Sequence, residues 1–237
     1  MPVIGTLFTT RRGGVSAAPY DSLNLGGSVG DDPSAVRVNR SVVAEQIGLP
    51  AERLMWMRQV HGSTVVRVGG PGGTTEQLPD CDGIVTAAPG VALGVLAADC
   101  VPILAGDPQA GVVGAAHAGR RGAANGIARR LIEAMADAGA DVAAIRVWLG
   151  PAICGRCYEV PAQMCREVEQ ALPGSACRTG RGAPGLDLRA GVRGQLSALG
   201  VRRIDVDSRC TYTDPDLFSH RRGAPTGRQA GLIWRMP

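Results

Sequence analysis

The sequence predicts a single α/β domain in which mixed β-sheets pack in layers and are flanked by helices. Three observations carry this expectation. Four short apolar segments within residues 84–116 are broken by Pro89-Gly90 and Asp107-Pro108, as buried strands joined by turns would be. Helical stretches and further strands follow, so hairpin-like neighbours alternate with helical crossovers instead of forming a regular βαβ repeat. The chain is 45% hydrophobic, yet it has only three Trp, three Tyr and two Phe among 34 Gly and 16 Pro, so its core must be built from Val, Ala, Leu and Ile. Its 237 residues suffice for one large core, and no internal repeat marks a second, so the domain is expected to span residues 1–237.

In chain order, residues 3–10 read as a strand and Arg11-Arg12-Gly13-Gly14 as a turn. Asp31-Asp32-Pro33 supplies an acidic cap and a proline for the first helical position, starting a helix that runs to about Ile47 and stops at Gly48. Residues 53–59 and 64–68 read as short strands, and Gly69-Gly70-Pro71-Gly72-Gly73 as a flexible loop within the domain. The apolar heart follows, with strands at 84–88, 91–98, 101–105 and 111–116. A helix over 122–138, a strand at 145–149, helices near 161–172 and 187–199, and a strand at 203–206 complete the reading. Residues 177–185 read as a loose, low-complexity insertion.

Composition excludes several classes of function. The net charge of +4 comes from 25 basic residues, all of them arginine, which are scattered without a basic helix or interleaved aromatics. That pattern argues against nucleic acid as a partner. No charge-free apolar run approaches the length of about 18 residues that a membrane span needs, and the start of the chain lacks a basic, apolar leader. Seven unevenly spaced cysteines do not suggest a disulfide framework, and a reducing cytoplasm is the expected compartment. A monomer is the default expectation.

Some motifs match by letter only. Gly26-Gly27-Ser28-Val29-Gly30 lacks the buried strand that a nucleophile elbow needs, and the Gly180 to Gly185 run lacks the strand and helix of a dinucleotide fingerprint. Cys154-Gly155-Arg156-Cys157 is a weak redox-pair match.

The informative constellation is Val60-His61-Gly62, Ala98-Asp99-Cys100 and Ala116-His117-Ala118-Gly119. Two of only three histidines and one cysteine stand where apolar segments hand over to loops. Two imidazoles and a thiolate suit zinc, and three protein ligands leave the fourth tetrahedral position for water or substrate. The competing reading is that each is a packed strand-end residue, since the spacing fits no short zinc ruler. Copper also accepts this donor set, but a multicopper site would need many more than three histidines. Cys81 reads as a small buried side chain and His220 as pocket wall or surface.

Several runs in order resemble one family along nearly the whole chain: FTTRRGGVS at 8–16, YDSLNLG at 20–26, VGDDP at 29–33, QVHG at 59–62, ADCVP at 98–102, AHAGRRG at 116–122, GPAI at 150–153 with CYEV at 157–160, and TGRQAG at 226–231. The family is that of the multicopper polyphenol oxidase or laccase-domain proteins, also known as laccase-domain purine nucleoside phosphorylases and peptidoglycan editing factors. The resemblance implies zinc bound by His61, Cys100 and His117, with Cys100 also counted among the catalytic residues. It implies phosphorolysis of adenosine, inosine, guanosine and methylthioadenosine, and deamination of adenosine. The partners are then purine nucleosides and phosphate.

Within that reading Asp99 is the candidate proton shuttle, with orientation of a ligand as its competing role. Arg11 and Arg121 are candidate phosphate clamps, and Asn24 a candidate contact to a sugar hydroxyl. Surface ion pairing and turn structure are the respective alternatives. Two positions depart from the family pattern: Ser28, where His is common, and Arg120, where Trp is common. The alternative functions are an editing hydrolase acting on a peptidoglycan precursor and a copper-dependent polyphenol oxidase.

Overall fold

The alternation of side chains along one central strand, Val112–Ala118, sets the order of the layers. Val112, Ala116 and Ala118 join a core shared with helices, while Val113 and Ala115 join a second core facing another sheet. The computed structural model describes residues 3–69 and 78–236; the expected loop at 69–73 lies, from Gly70 onward, outside the described residues.

The elements are β1 (Ile4–Phe8), α1 (Pro33–Gln46), a short 3-10 turn (Ala51–Arg53), β2 (Leu54–Trp56), β3 (Val65–Arg67), β4 (Gly83–Thr86), β5 (Ala92–Ala97), β6 (Val101–Asp107), β7 (Val112–Ala118), α2 (Arg120–Ala124), α3 (Ile127–Asp137), β8 (Arg146–Leu149), α4 (Ala162–Ala171), β9 (Ala176–Arg178), β10 (Pro184–Leu186), α5 (Leu188–Ala198), β11 (Arg203–Val206) and β12 (Gln229–Arg235). Two mixed sheets dominate: six strands in the order β11-β8-β6-β7-β4-β3 and four in the order β1-β12-β5-β2. Leu93, Val95 and Ile233 of the smaller sheet meet Leu104, Val113 and Ala115 of the larger one. Helix α1 covers the outer face of the small sheet through Val43 and Ala44, and α3, α4 and α5 cover the outer face of the large one. The expected α/β domain of layered mixed sheets flanked by helices is therefore the one observed. No helix among the described residues is long and apolar enough to cross a membrane.

Local chemistry explains the boundaries. Asp32 caps α1 by accepting the Ser34 N–H at 2.8 Å, with Pro33 in the first turn. Asp187 caps α5 through the Ala190 N–H at 3.0 Å. On α3, Ile127, Leu131 and Met135 recur every four residues and are fully buried. They lie against β7 at Gly114, where an added Cβ would meet Leu131 Cδ1 at 2.9 Å.

Three expectations are corrected. The single helix over 122–138 is two helices, because Gly126 adopts φ 80°, a left-handed conformation that ends the regular helix between α2 and α3. Residues 177–185 are not a loose insertion but most of an antiparallel hairpin, with Cys177 paired to Gly185 and a turn closed by the Gly182 N–H on the Thr179 carbonyl at 2.9 Å. Strand β12, at residues for which the sequence predicts no element, is central to the small sheet and pairs with both β1 and β5.

Candidate metal centre and its cavity

Strand register brings the three donors together. In the antiparallel β6–β7 pair, Val101 faces Ala118 and Pro102 faces His117, so Cys100, just before β6, meets the end of β7. Parallel pairing of β3 with β4, and antiparallel pairing of β4 with β7 from Gly83 to Ala116, put the segments preceding β3 and β4 at the same end of the sheet. His61 arrives from one and Asp82 from the other. Donor atoms of His61, Cys100 and His117 all lie within 4.8 Å of one another, as a shared ion requires.

Asp82 organises this end of the sheet, a role not assigned to it from sequence. Its buried carboxylate accepts the backbone N–H groups of Val60 (3.2 Å), His61 (3.0 Å) and Gly62 (2.7 Å), three consecutive donors curled around one anion. Its Oδ1 lies 2.9 Å from His117 Nδ1, which therefore carries the proton and leaves Nε2 free to ligate. The curl forces His61 to φ 61°, and Asp99 beside Cys100 takes φ 90°; they are the non-glycine residues with positive φ among those described.

The donors shift one another's titration. Burial pushes the Cys100 thiol up, but the charges and hydrogen bonds of His117 and His61 outweigh it and bring the pKa down to about 6. Burial pulls His117 down, whereas the Cys100 thiolate and Asp82 raise it to about 9. A thiolate and two imidazoles of this kind are the donor set of a zinc site. The room at the centre is kept by Gly119, where a Cβ would stand 2.8 Å from His61 Cδ2 and 3.1 Å from Cys100 Sγ. The residues present therefore fit a metal ion. His117 is buried, Cys100 half-buried and His61 exposed, so one side opens outward.

That side is a cavity of about 950 Å³ lined by His61, Asp99, Cys100 and His117 and by Arg40, Arg58, Arg120, Arg221 and Arg228. Five guanidiniums against one carboxylate give the wall a positive bias, with Arg58 paired to Asp80. Burial lowers the pKa of Arg40 and Arg228, cations held partly out of water in the wall. Ser28, Tyr158 and His220 also line it, which agrees with His220 as pocket wall.

Other sequence-selected residues are placed differently. Arg11 lies outside this cavity, paired with Asp21 at 3.0 Å and stacked 4.9 Å from the centre of the Phe218 ring. Arg121 is exposed and does not line the cavity; its neighbour Arg120 does, because the first turn of α2 rotates successive side chains apart. Asn24 is fully buried and satisfied: its amide donates to Asp31 at 2.8 Å and to the Gly26 carbonyl, and its oxygen accepts from Gly26 and Arg228. Asp99 lines the cavity, but its carboxylate accepts from Thr211 Oγ1 (2.6 Å), Ser219 Oγ (2.7 Å) and the Arg221 N–H (2.7 Å). The expected proton shuttle is thus engaged in tying the segment 211–221 to the metal end of the sheet. Cys81 is buried in the core between the sheets and outside the donor group.

A family model described as multi-copper polyphenol oxidoreductase laccase matches residues 5–236. A Mycobacterium tuberculosis protein named purine nucleoside phosphorylase is 58% identical over 226 residues, covering 95% of this chain and 90% of that one. One of the same name from Streptomyces griseus is 51% identical over 236 residues, covering 98% and 96%. Among solved structures, YlmD from Geobacillus stearothermophilus matches with a TM-score of 0.90 at 37% identity, over 99% of this chain and 92% of that one.

Proposed function

The chain belongs to the multi-copper polyphenol oxidoreductase laccase family, and from that premise we propose that it is a zinc-dependent purine nucleoside phosphorylase. The observation that carries the reading is the single cavity wall on which a His/Cys/His donor group and several arginines converge. Phosphorolysis asks for those two things: an anion held firmly near the ribose C1′, and stabilisation of charge that develops during cleavage of the glycosidic bond. Relatives named for this activity at 51–58% identity support it.

His61, Cys100 and His117 would hold the ion, which would supply Lewis acidity toward a bound oxygen. Asp82 fixes the His117 ring and the backbone of the His61 turn, so the donors are positioned before anything binds. Arg120, Arg221 and Arg228 hold phosphate through charge-assisted hydrogen bonds. Asp99 is a positioning residue that keeps the Arg221 segment against the cavity. Adenosine, inosine, guanosine and methylthioadenosine are the nucleosides this reading covers, and adenosine deamination draws on the same centre. Copper is the other metal that the donor set accepts.

Product analysis tests the reading. Inosine and inorganic phosphate incubated with zinc-loaded protein should yield hypoxanthine and ribose 1-phosphate in equal amounts. Free ribose formed at the same rate without phosphate would make the protein a hydrolase.

A further inference from the structure

A second group of side chains able to hold a metal ion is joined to the first centre through Asp99. Cys154, Cys157 and Cys210 place their sulfurs within 4.8 Å of one another, and all three are free thiols. They come from two segments: Cys154 and Cys157 from the turn after β8, Cys210 from the stretch after β11. Parallel pairing of β8 with β11, continued by the bridge between Ala152 and Cys210, brings those segments side by side. The turn folds tightly, with the Cys157 and Tyr158 N–H groups on the Cys154 carbonyl at 2.9 and 3.0 Å, so both of its sulfurs converge on the third.

The backbone also approaches one of these sulfurs. The Cys154 N–H points at Cys210 Sγ at 3.3 Å. A sulfur that accepts backbone hydrogen bonds is stabilised as the anion, the form that binds metals. A disulfide would consume two of the three sulfurs and leave the third without a role, whereas one cation uses all three.

We propose that Cys154, Cys157 and Cys210 form a second metal site, a three-thiolate seat for a zinc-type thiophilic cation. Each thiol that binds gives its proton to solvent, so no oxidant or reductant is involved. Thiolate ligands select soft cations over calcium or magnesium, and the partial exposure of Cys154 and Cys157 gives the ion a way in and a place for a water ligand. The site braces the first centre. Ile153, next to Cys154, lines the cavity and donates its N–H to the Asp99 carbonyl at 3.0 Å, and Thr211, next to Cys210, donates to the Asp99 carboxylate.

The test uses reduced, full-length protein stripped with a chelator and titrated with Co²⁺, whose ultraviolet charge-transfer absorption reports thiolate ligands. The Cys100→Ala variant, which lacks the thiolate of the first centre, should still bind one Co²⁺ with an intense thiolate band. Adding Cys154→Ser or Cys210→Ser to it should abolish that band. In case Cys100→Ala fails to fold, wild-type protein should bind two ions and the single variant Cys210→Ser one. Equal metal content in wild type and the Cys154 and Cys210 variants, absence of the band from folded Cys100→Ala, or recovery of two of these cysteines as a disulfide from reduced protein would overturn the proposal. Because the readout is metal content and absorption, it stands or falls independently of phosphorolysis.

Discussion

Asp82 Oδ1 and His117 Nδ1 lie 2.9 Å apart at the meeting point of β4 and β7, and the same carboxylate gathers the backbone N–H groups of the His61 turn. One buried anion thereby orients two of the three donors. Asp82→Asn keeps the shape but turns an acceptor into a donor facing N–H groups. It should weaken zinc binding by about 10–100-fold, the usual cost of losing a partner behind a ligating histidine. Competition with a chromophoric chelator measures this, and unchanged affinity in folded Asp82→Asn would show that the pair does not position the ligand.

Gly119 holds open the space between His61 and Cys100. Gly119→Ala places a Cβ 2.8 Å from His61 Cδ2, so metal content should fall strongly while the layered core, formed elsewhere, keeps the far-ultraviolet circular dichroism of wild type. Full metal occupancy in this variant would mean that the donors shift without penalty.

Neighbouring arginines should behave differently. Arg120→Met should lower kcat/KM for phosphate by about 10–100-fold, the value of a charged hydrogen bond of roughly 1.5–3 kcal/mol. Arg121→Met, outside the cavity, and Arg11→Met, engaged with Asp21 and Phe218, should leave it within about twofold. Equal losses in the Arg120 and Arg121 variants would contradict the cavity assignment.

These contrasts show which parts of the site could be read from residues alone. The donors were legible because His and Cys are rare here and stood at the ends of apolar strands, and register did the rest. Asp82 was not, since one carboxylate next to Cys81 looks like any other until its three backbone donors are seen. Arg120 and Arg121 differ only by rotation around a helix start, which the sequence does not encode without the phase of α2. For the fold, long apolar or well-capped elements such as β6, β7 and α1 were clear. The hairpin β9–β10 was not, because strands of three residues, one of them Pro-Gly-Leu, carry no readable period. Strand β12 owes its place to pairing with β1 across almost the entire chain.

Asp99 accepts three hydrogen bonds from the segment 211–221, so Asp99→Asn sets an amide N–H against one of them at a cost of about 1–3 kcal/mol. Thermal stability should drop, and phosphorolysis and deamination should fall together. Loss of deamination alone, with stability and phosphorolysis intact, would instead identify Asp99 as the proton shuttle.

Reconstitution measures the central claim most directly. Ribose 1-phosphate formation from inosine and phosphate should vanish in chelator-stripped protein, return with Zn²⁺ in the wild type, and stay absent in Cys100→Ala supplied with the same ion. Turnover at the full rate in stripped protein, or in Cys100→Ala, would contradict a reaction carried out at the His61, Cys100 and His117 centre.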